Sequence, residues 1–145
     1  MKVNIFFKTR APVLIKKRIK LFKHVIVKVL GKEKGEINLI FTDGREIKEL
    51  NRIYLGKDEL TDVIAFKYEG LSYSKLKNEK PFGDIFVCVD SAKLQSKQMG
   101  HSLIKELLIL TAHGALHLSG MDDLTKKQKE AMEIAAAKIL KKIGG

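Results

Sequence analysis

Two histidines four residues apart, inside an almost wholly apolar segment, constrain this chain more than any other feature. On an α-helix this spacing puts His113 and His117 on one face, a turn apart, where their ring nitrogens can bind one metal ion. Gly120 follows three residues later, and a glycine just beyond a helix can adopt a positive φ and turn the chain back. That turn would bring Asp123 to the same ion. Three protein ligands with an open fourth position are typical of a catalytic zinc site.

The spacing matches the zinc motif H-E-x-x-H-x-x-G-x-x-H except at two positions. Gly114 stands where the motif has its general-base glutamate, and Asp123 stands where it has a third histidine. A metallopeptidase of that class needs the glutamate to take a proton from water. Its absence disfavours peptidase chemistry but leaves metal binding intact. Two histidines with a chance spacing are the simpler alternative, and the glycine and aspartate at the motif's offsets favour a metal site.

Composition indicates one folded domain over residues 1–145. The hydrophobic fraction is 45%, which suits a globular chain with its own core. No apolar run approaches the ~20 residues that span a bilayer, and the N-terminus lacks a signal-peptide pattern, so we expect a cytoplasmic protein without a membrane partner. The single cysteine, Cys88, excludes an internal disulfide and fits a reducing compartment.

The formal net charge of +11 favours a polyanionic partner, with nucleic acid as the leading candidate. A lysine-rich hyperthermophile surface is the alternative, although balanced ion-pair networks would leave a smaller excess. Lysines also flank the apolar stripe of the first predicted helix, which is formed by Ile15, Ile19, Phe22, Ile26 and Val29. The simpler interpretation of those lysines is a solvated helix face. The alternative is a surface that tracks phosphates.

Hydrophobic periodicity predicts a β-α-β-α-β-β order followed by a run of helices. The predicted strands cover residues 3–7, 37–41, 63–66 and 83–89, and residues 69–81 are predicted to form a loop. Five helices are predicted. The first covers residues 12–31, the second begins after the cap Asp43, and the third runs from Asp90 or Ser91 to Gly100. The fourth covers residues 103–118, and the last begins at the capping box Thr125–Gln128. His101 is assigned to a helix start, with lining of the site as the alternative.

The fold class is therefore α+β: a small mixed β-sheet packed against helices, with a buried central helix that carries the HxxxH metal motif. Gly114 lies inside that helix, where glycine costs ~1 kcal/mol relative to alanine. A glycine at this position indicates crowding, either by a neighbouring backbone or by a substrate that approaches the metal.

Three blocks of the sequence together resemble the YbeY family of endoribonucleases and ribosomal RNA maturation factors. Residues 51–66 resemble the family's signature segment, and residues 83–88 are similar to the strand that follows it. Residues 113–123 resemble its metal motif H-G-x-L-H-L-x-G-Y-D-H. The resemblance extends from about residue 36 to residue 123.

The resemblance implies a cytoplasmic bacterial metalloenzyme that cleaves single-stranded RNA. Such an enzyme would mature the 3′ end of small-subunit ribosomal RNA and act in ribosome quality control, with the small ribosomal subunit as its partner. The implied cofactor is one zinc ion per chain, held by His113, His117 and Asp123, and another divalent transition metal is also acceptable.

Two residues depart from the family pattern. Asp123 replaces the third histidine, and a carboxylate oxygen is an acceptable zinc ligand with a different metal preference. Leu55 stands where the family carries an arginine suited to a phosphate contact. Arg52, one helical turn earlier, is a candidate substitute, and Lys57 is a second candidate RNA contact.

The favoured function is metal-assisted hydrolysis of RNA. Because Gly114 is not a glutamate, the proton acceptor stays open among a phosphate oxygen, Asp122 and Asp62. Two alternatives remain: a ribosome- or RNA-associated metal-binding protein without catalysis, and a zinc metallopeptidase. The sequence does not determine the oligomeric state.

Overall fold

A four-stranded mixed sheet organises the molecule. The computed structural model describes residues 1–10, 12–68 and 81–144. The strands are β1 (Lys2–Phe7), β2 (Glu36–Thr42), β3 (Val63–Lys67) and β4 (Pro81–Cys88), in the order β1-β2-β4-β3. β1, β2 and β4 run parallel, and β3 pairs antiparallel with β4 in a register that places Ala65 opposite Ile85. β1 and β3 therefore form the two edges of the sheet.

The described residues also form six helices, and this confirms the predicted α+β fold. They are α1 (Val13–Lys17), α2 (Ile19–Leu30), α3 (Gly44–Leu55), α4 (Val89–Met99), α5 (Leu103–Leu118) and α6 (Lys126–Lys142). Of these helices, α2, α3 and α5 contact the strands. Within the described ranges, no helix is both long enough and apolar enough to cross a bilayer.

Alternation of side chains along the strands gives the sheet two apolar faces. Ile85 and Val87 of β4 belong to the main core with α2, α5 and α6. Phe86 and Cys88 point the other way and pack with Ile47 of α3. α5 lies at the centre of the main core, in contact with β3, β4, α2, α4 and α6. The predicted burial of the central helix is confirmed.

Gly114 is the point where α5 approaches the sheet most closely. A Cβ atom added at this position would lie 2.5 Å from Cγ2 of Ile85, a fully buried side chain. The predicted crowding is confirmed, and the nearest atoms belong to the side chain of Ile85 and not to a neighbouring backbone.

Three predicted boundaries are wrong. The first predicted helix is two helices, because Arg18 leaves helical geometry with φ −110° and ψ 17°. α4 is capped by Cys88, whose Sγ accepts a hydrogen bond from the Ser91 N–H at 3.4 Å, so neither Asp90 nor Ser91 is the cap. β4 begins at Pro81, two residues before the predicted start, and the rest of the predicted loop lies outside the described residues.

Candidate metal centre

α5 presents both candidate histidines on one face. Its N-terminus is capped as predicted, because Ser102 Oγ accepts a hydrogen bond from the Lys105 N–H at 3.1 Å. The helix runs without a break to Leu118, so His113 and His117 lie one turn apart, and both side chains are partly buried.

The turn after α5 is a Schellman motif, in which two N–H groups beyond the helix satisfy its last carbonyls. Gly120 has φ +109°, and its N–H donates to the His117 carbonyl at 3.0 Å. The Met121 N–H donates to the Leu116 carbonyl, also at 3.0 Å. The chain reverses at the residue that the sequence predicted.

This reversal orients the ring of His117. The Met121 carbonyl lies 3.1 Å from Nδ1, and since a carbonyl only accepts, Nδ1 carries the proton. The lone pair is then on Nε2, which lies 3.5 Å from Oδ2 of Asp123. A backbone carbonyl that fixes the tautomer of a histidine is a common accompaniment of metal ligation.

His113 has a buried ring nitrogen with no hydrogen-bond partner in the described part of the chain. That atom is Nε2. Burial lowers the pKa of His113 below its ordinary value, while the carboxylate of Asp62 acts in the opposite direction. The imidazole is therefore held in its neutral form, which is the form that binds metals.

The donor chemistry of these residues fits a zinc ion, although the structure gathers the set only in part. Two imidazole nitrogens and a carboxylate oxygen are zinc ligands, and a buried, unpartnered nitrogen is a position that a metal would satisfy. Asp123 is about half exposed and approaches His117. In the part of the chain that the structure describes, no three histidine, cysteine, aspartate or glutamate side chains lie close enough together to hold one metal ion.

The two candidate proton acceptors differ in their surroundings. Asp62 precedes β3, its Oδ2 accepts a hydrogen bond from Gln95 Nε2 at 3.2 Å, and its charge reaches His113. Asp122 is exposed on the turn beside Asp123. The structure therefore puts Asp62 in electrostatic contact with the candidate site.

The two candidate RNA contacts belong to a different layer. Arg52 lies on α3, on the opposite face of the sheet from α5, and its guanidinium forms a paired hydrogen bond and ion pair with Glu49, which raises the pKa of Arg52. Lys57 is exposed after Gly56, the C-cap of α3. Neither Arg52 nor Lys57 lines the cavity that contains His113, and His117 does not line it either.

A cavity of about 610 Å³ opens beside His113, between α4, α5 and α6. Its walls include His101, whose Nε2 lies 2.5 Å from Oε1 of the buried Glu106. His101 directly precedes Ser102, the N-cap of α5, as predicted, and it also lines the cavity beside His113. Glu106 was not predicted, although it precedes His113 by seven residues and so lies on the same helix face.

Comparison with known proteins finds a match over nearly the whole chain. The family model described as Endoribonuclease YbeY matches residues 5–144. A protein of that name from Elusimicrobium minutum (strain Pei191) is 44% identical over 153 residues, covering 99% of this chain and 100% of its own length. A Staphylococcus aureus (strain JH9) protein of the same name is 40% identical over 102 residues, or 68% of this chain and 66% of its own.

A solved structure also shares the fold. The solution structure of TM1509 from Thermotoga maritima superimposes with a TM-score of 0.59 at 25% sequence identity. The alignment covers 97% of this chain and 90% of that chain.

Proposed function

Because the chain belongs to the YbeY endoribonuclease family, we propose that it hydrolyses phosphodiester bonds of single-stranded RNA with the help of a bound metal ion. Its cellular substrate would be small-subunit ribosomal RNA, which it would process at the 3′ end in the cytoplasm. Ribosome quality control and association with the small ribosomal subunit belong to the same proposal. The family match supports the endoribonuclease activity, and the resemblance of the metal motif supports the rest.

One observation carries the metal dependence: among the described residues, Nε2 of His113 is buried and has no hydrogen-bond partner, and it lies on the helix face that also presents His117. An unsatisfied buried polar atom costs about 1–3 kcal/mol, and a metal ion would offset that cost. We propose that His113, His117 and Asp123 hold one zinc ion. A different divalent transition metal is compatible with the oxygen ligand.

When bound, such an ion supplies Lewis acidity, which polarises a phosphate and makes water a stronger nucleophile at neutral pH. The chain's own residues would do the rest. The Met121 carbonyl holds the proton of His117 on Nδ1 and so aims Nε2 toward the ligand position. Asp62, oriented by Gln95, is the carboxylate best situated to accept the proton released by the attacking water, since its charge already reaches His113.

The peptidase alternative has less support than it had from spacing alone. Position 114, where a zinc peptidase carries its glutamate, faces Ile85 in the core. A glutamate there would be forced against the sheet. The alternative of a binding protein without catalysis is an outcome of the experiment that follows.

The decisive comparison is between the wild type and His117→Ala, purified identically and supplied with zinc. We expect the zinc content to fall from one ion per chain, and cleavage of a labelled single-stranded RNA to fall by about 100-fold or more, since even residues that only orient metal ligands are worth about 10- to 100-fold. His24→Ala is the control for zinc content, because His24 is exposed on α2.

Equal cleavage and equal zinc content in both proteins would contradict the proposal. Zinc-dependent RNA binding by a wild type that cuts no RNA would instead establish the non-catalytic alternative.

A further inference from the structure

The positive charge of the chain is concentrated at its N-terminal end. Residues 1–32 contain ten of the 28 lysines and arginines and none of the 17 aspartates and glutamates. This segment therefore carries +10 of the formal net charge of +11, and the remaining 113 residues are almost neutral. It comprises β1, at one edge of the sheet, together with α1 and α2.

Five cations of this segment are exposed on α1, on α2 or at the junction of the two helices, and together they are here called the N-terminal basic surface: Lys17, Arg18, Lys20, Lys23 and Lys28. In the described structure none of the five has an ion-pair partner, whereas Lys8 of the same segment pairs with Glu46 at 3.3 Å. Like charges at helical spacing repel by about 0.2–0.5 kcal/mol per pair. The positive charges of this surface therefore repel one another, and a bound polyanion would reduce that repulsion.

Arg18 connects the N-terminal basic surface to the cavity beside His113, with Lys105 between them. Arg18, at the junction of α1 and α2, and Lys105, in the first turn of α5, line one groove of about 300 Å³. Lys105 also lines the 610 Å³ cavity that contains His113. A chain of positive groups thus leads from α2, over Lys105, to the candidate site.

We propose that the N-terminal basic surface docks the phosphate backbone of the RNA strand that is cleaved at His113, with Lys105 as the link between surface and site. This inference rests on the proposed ribonuclease function. It adds the location of the part of the RNA that extends beyond the cavity. An anionic membrane fits this surface less well, because the apolar face of α2, including Phe22, Val25 and Ile26, is buried in the core and unavailable to lipid.

The test measures RNA binding by two variants of equal charge. The first carries Lys20→Gln, Lys23→Gln and Lys28→Gln on α2. The control carries Lys48→Gln, Lys93→Gln and Lys97→Gln on α3 and α4, which are also exposed. Both are compared with the parent in a His117→Ala background, so that the RNA stays intact, and thermal melting checks that all fold equally. The probes are labelled RNAs of about 4 and about 16 nucleotides, the range of site sizes in single-strand binding folds.

For the long RNA at low salt, we expect the dissociation constant of the α2 variant to rise by about tenfold or more, with a salt slope shallower by about 2, because three phosphate contacts are lost. The short RNA should bind the α2 variant and the parent alike, since it reaches only the cavity. The control variant should change the long-RNA affinity by less than about twofold.

Equal losses in the α2 and control variants would overturn the inference, because the effect would then follow net charge alone. The inference would also be overturned if the N-terminal basic surface bound phosphatidylserine vesicles tightly while the α2 variant kept the RNA affinity of the parent. The ribonuclease function is tested separately, by cleavage with the wild-type chain in which His117 is intact. If that chain cuts no RNA, the ribonuclease proposal fails, and the binding comparison can still be interpreted.

Discussion

Gly114 is the residue at which the central helix, the sheet and the candidate site meet. We expect Gly114→Ala to lower the free energy of unfolding by up to about 2 kcal/mol, because overpacking against Ile85 costs about 1–3 kcal/mol and the gain in helix propensity returns only ~1 kcal/mol. Urea denaturation measures the change.

The control is a double-mutant cycle with Ile85→Ala, which removes the atoms that the new methyl group would meet. We expect the two substitutions to be less destabilising together than the sum of their separate effects. Strict additivity would show that Ile85 is not the source of the crowding.

His113 gives the metal-free chain a pH dependence of known sign. Burial lowers the pKa of His113 below its ordinary value of 6.5. Above that pH the residue is neutral in both the folded and the unfolded chain, so it does not change the free energy of unfolding. As pH falls below about 6.5, the unfolded chain binds a proton that the folded chain resists, and stability decreases. We expect His113→Gln to weaken this loss in urea denaturation series between about pH 7 and about pH 5.

His24→Gln is the matched control, since it removes a histidine that is exposed on α2 and not buried on α5. If stability falls by the same amount between about pH 7 and about pH 5 with and without His113, other groups cause the loss.

At the scale of elements, the Schellman turn after α5 joins helix structure to the candidate site. We expect Gly120→Ala to lower the free energy of unfolding by about 1–2 kcal/mol, because φ +109° is a strained conformation for a residue with a Cβ. It should also weaken zinc binding, because the turn sets the distance between His117 and Asp123. Isothermal titration with zinc measures the second effect.

Gly56→Ala is the control, since Gly56 also has a positive φ, at +70°, and caps α3 with open space around it. It should lose stability and keep its zinc affinity. Loss of zinc affinity in both variants would mean that general destabilisation, and not the turn, weakens the site.

Local signals in the sequence predicted most of the elements. The caps Asp43, Ser102 and Thr125 each accept the expected hydrogen bond from an N–H three residues on, and Gly100 and Gly120 both have positive φ at helix ends. The break at Arg18 escaped prediction because the apolar stripe continues across it. A spacing of four residues between Ile15 and Ile19 fits one helix as well as two.

The candidate site was predictable only where its residues are close in sequence. His113, His117, Gly120 and Asp123 lie within one helix and its turn, so spacing alone relates them. The approach of Asp62 to His113 depends on how β3 packs against α5, and the cavity depends on how three helices meet. No periodicity within one segment carries that information.

At the scale of the whole molecule, metal binding should raise the free energy of unfolding. Zinc at about 100 times its dissociation constant should add about 2.7 kcal/mol to the free energy of unfolding, because an ion that binds the folded chain and not the unfolded chain stabilises the folded state. For a chain of this size that corresponds to an increase in Tm of about 5–10 °C. Differential scanning calorimetry with and without zinc measures it.

The same scan on His117→Ala is the control, and its Tm should not respond to zinc. An equal increase in both proteins would place the stabilising zinc outside the candidate centre.

The uneven charge of the chain also gives the molecule a large electric dipole. With +10 on the segment that forms β1, α1 and α2 and a nearly neutral remainder, a distant polyanion exerts a torque as well as an attraction. The protein would therefore rotate α2-first while still diffusing, before any side chain makes contact. Much of the orientational search that slows the docking of two specific patches would be complete at the moment of collision.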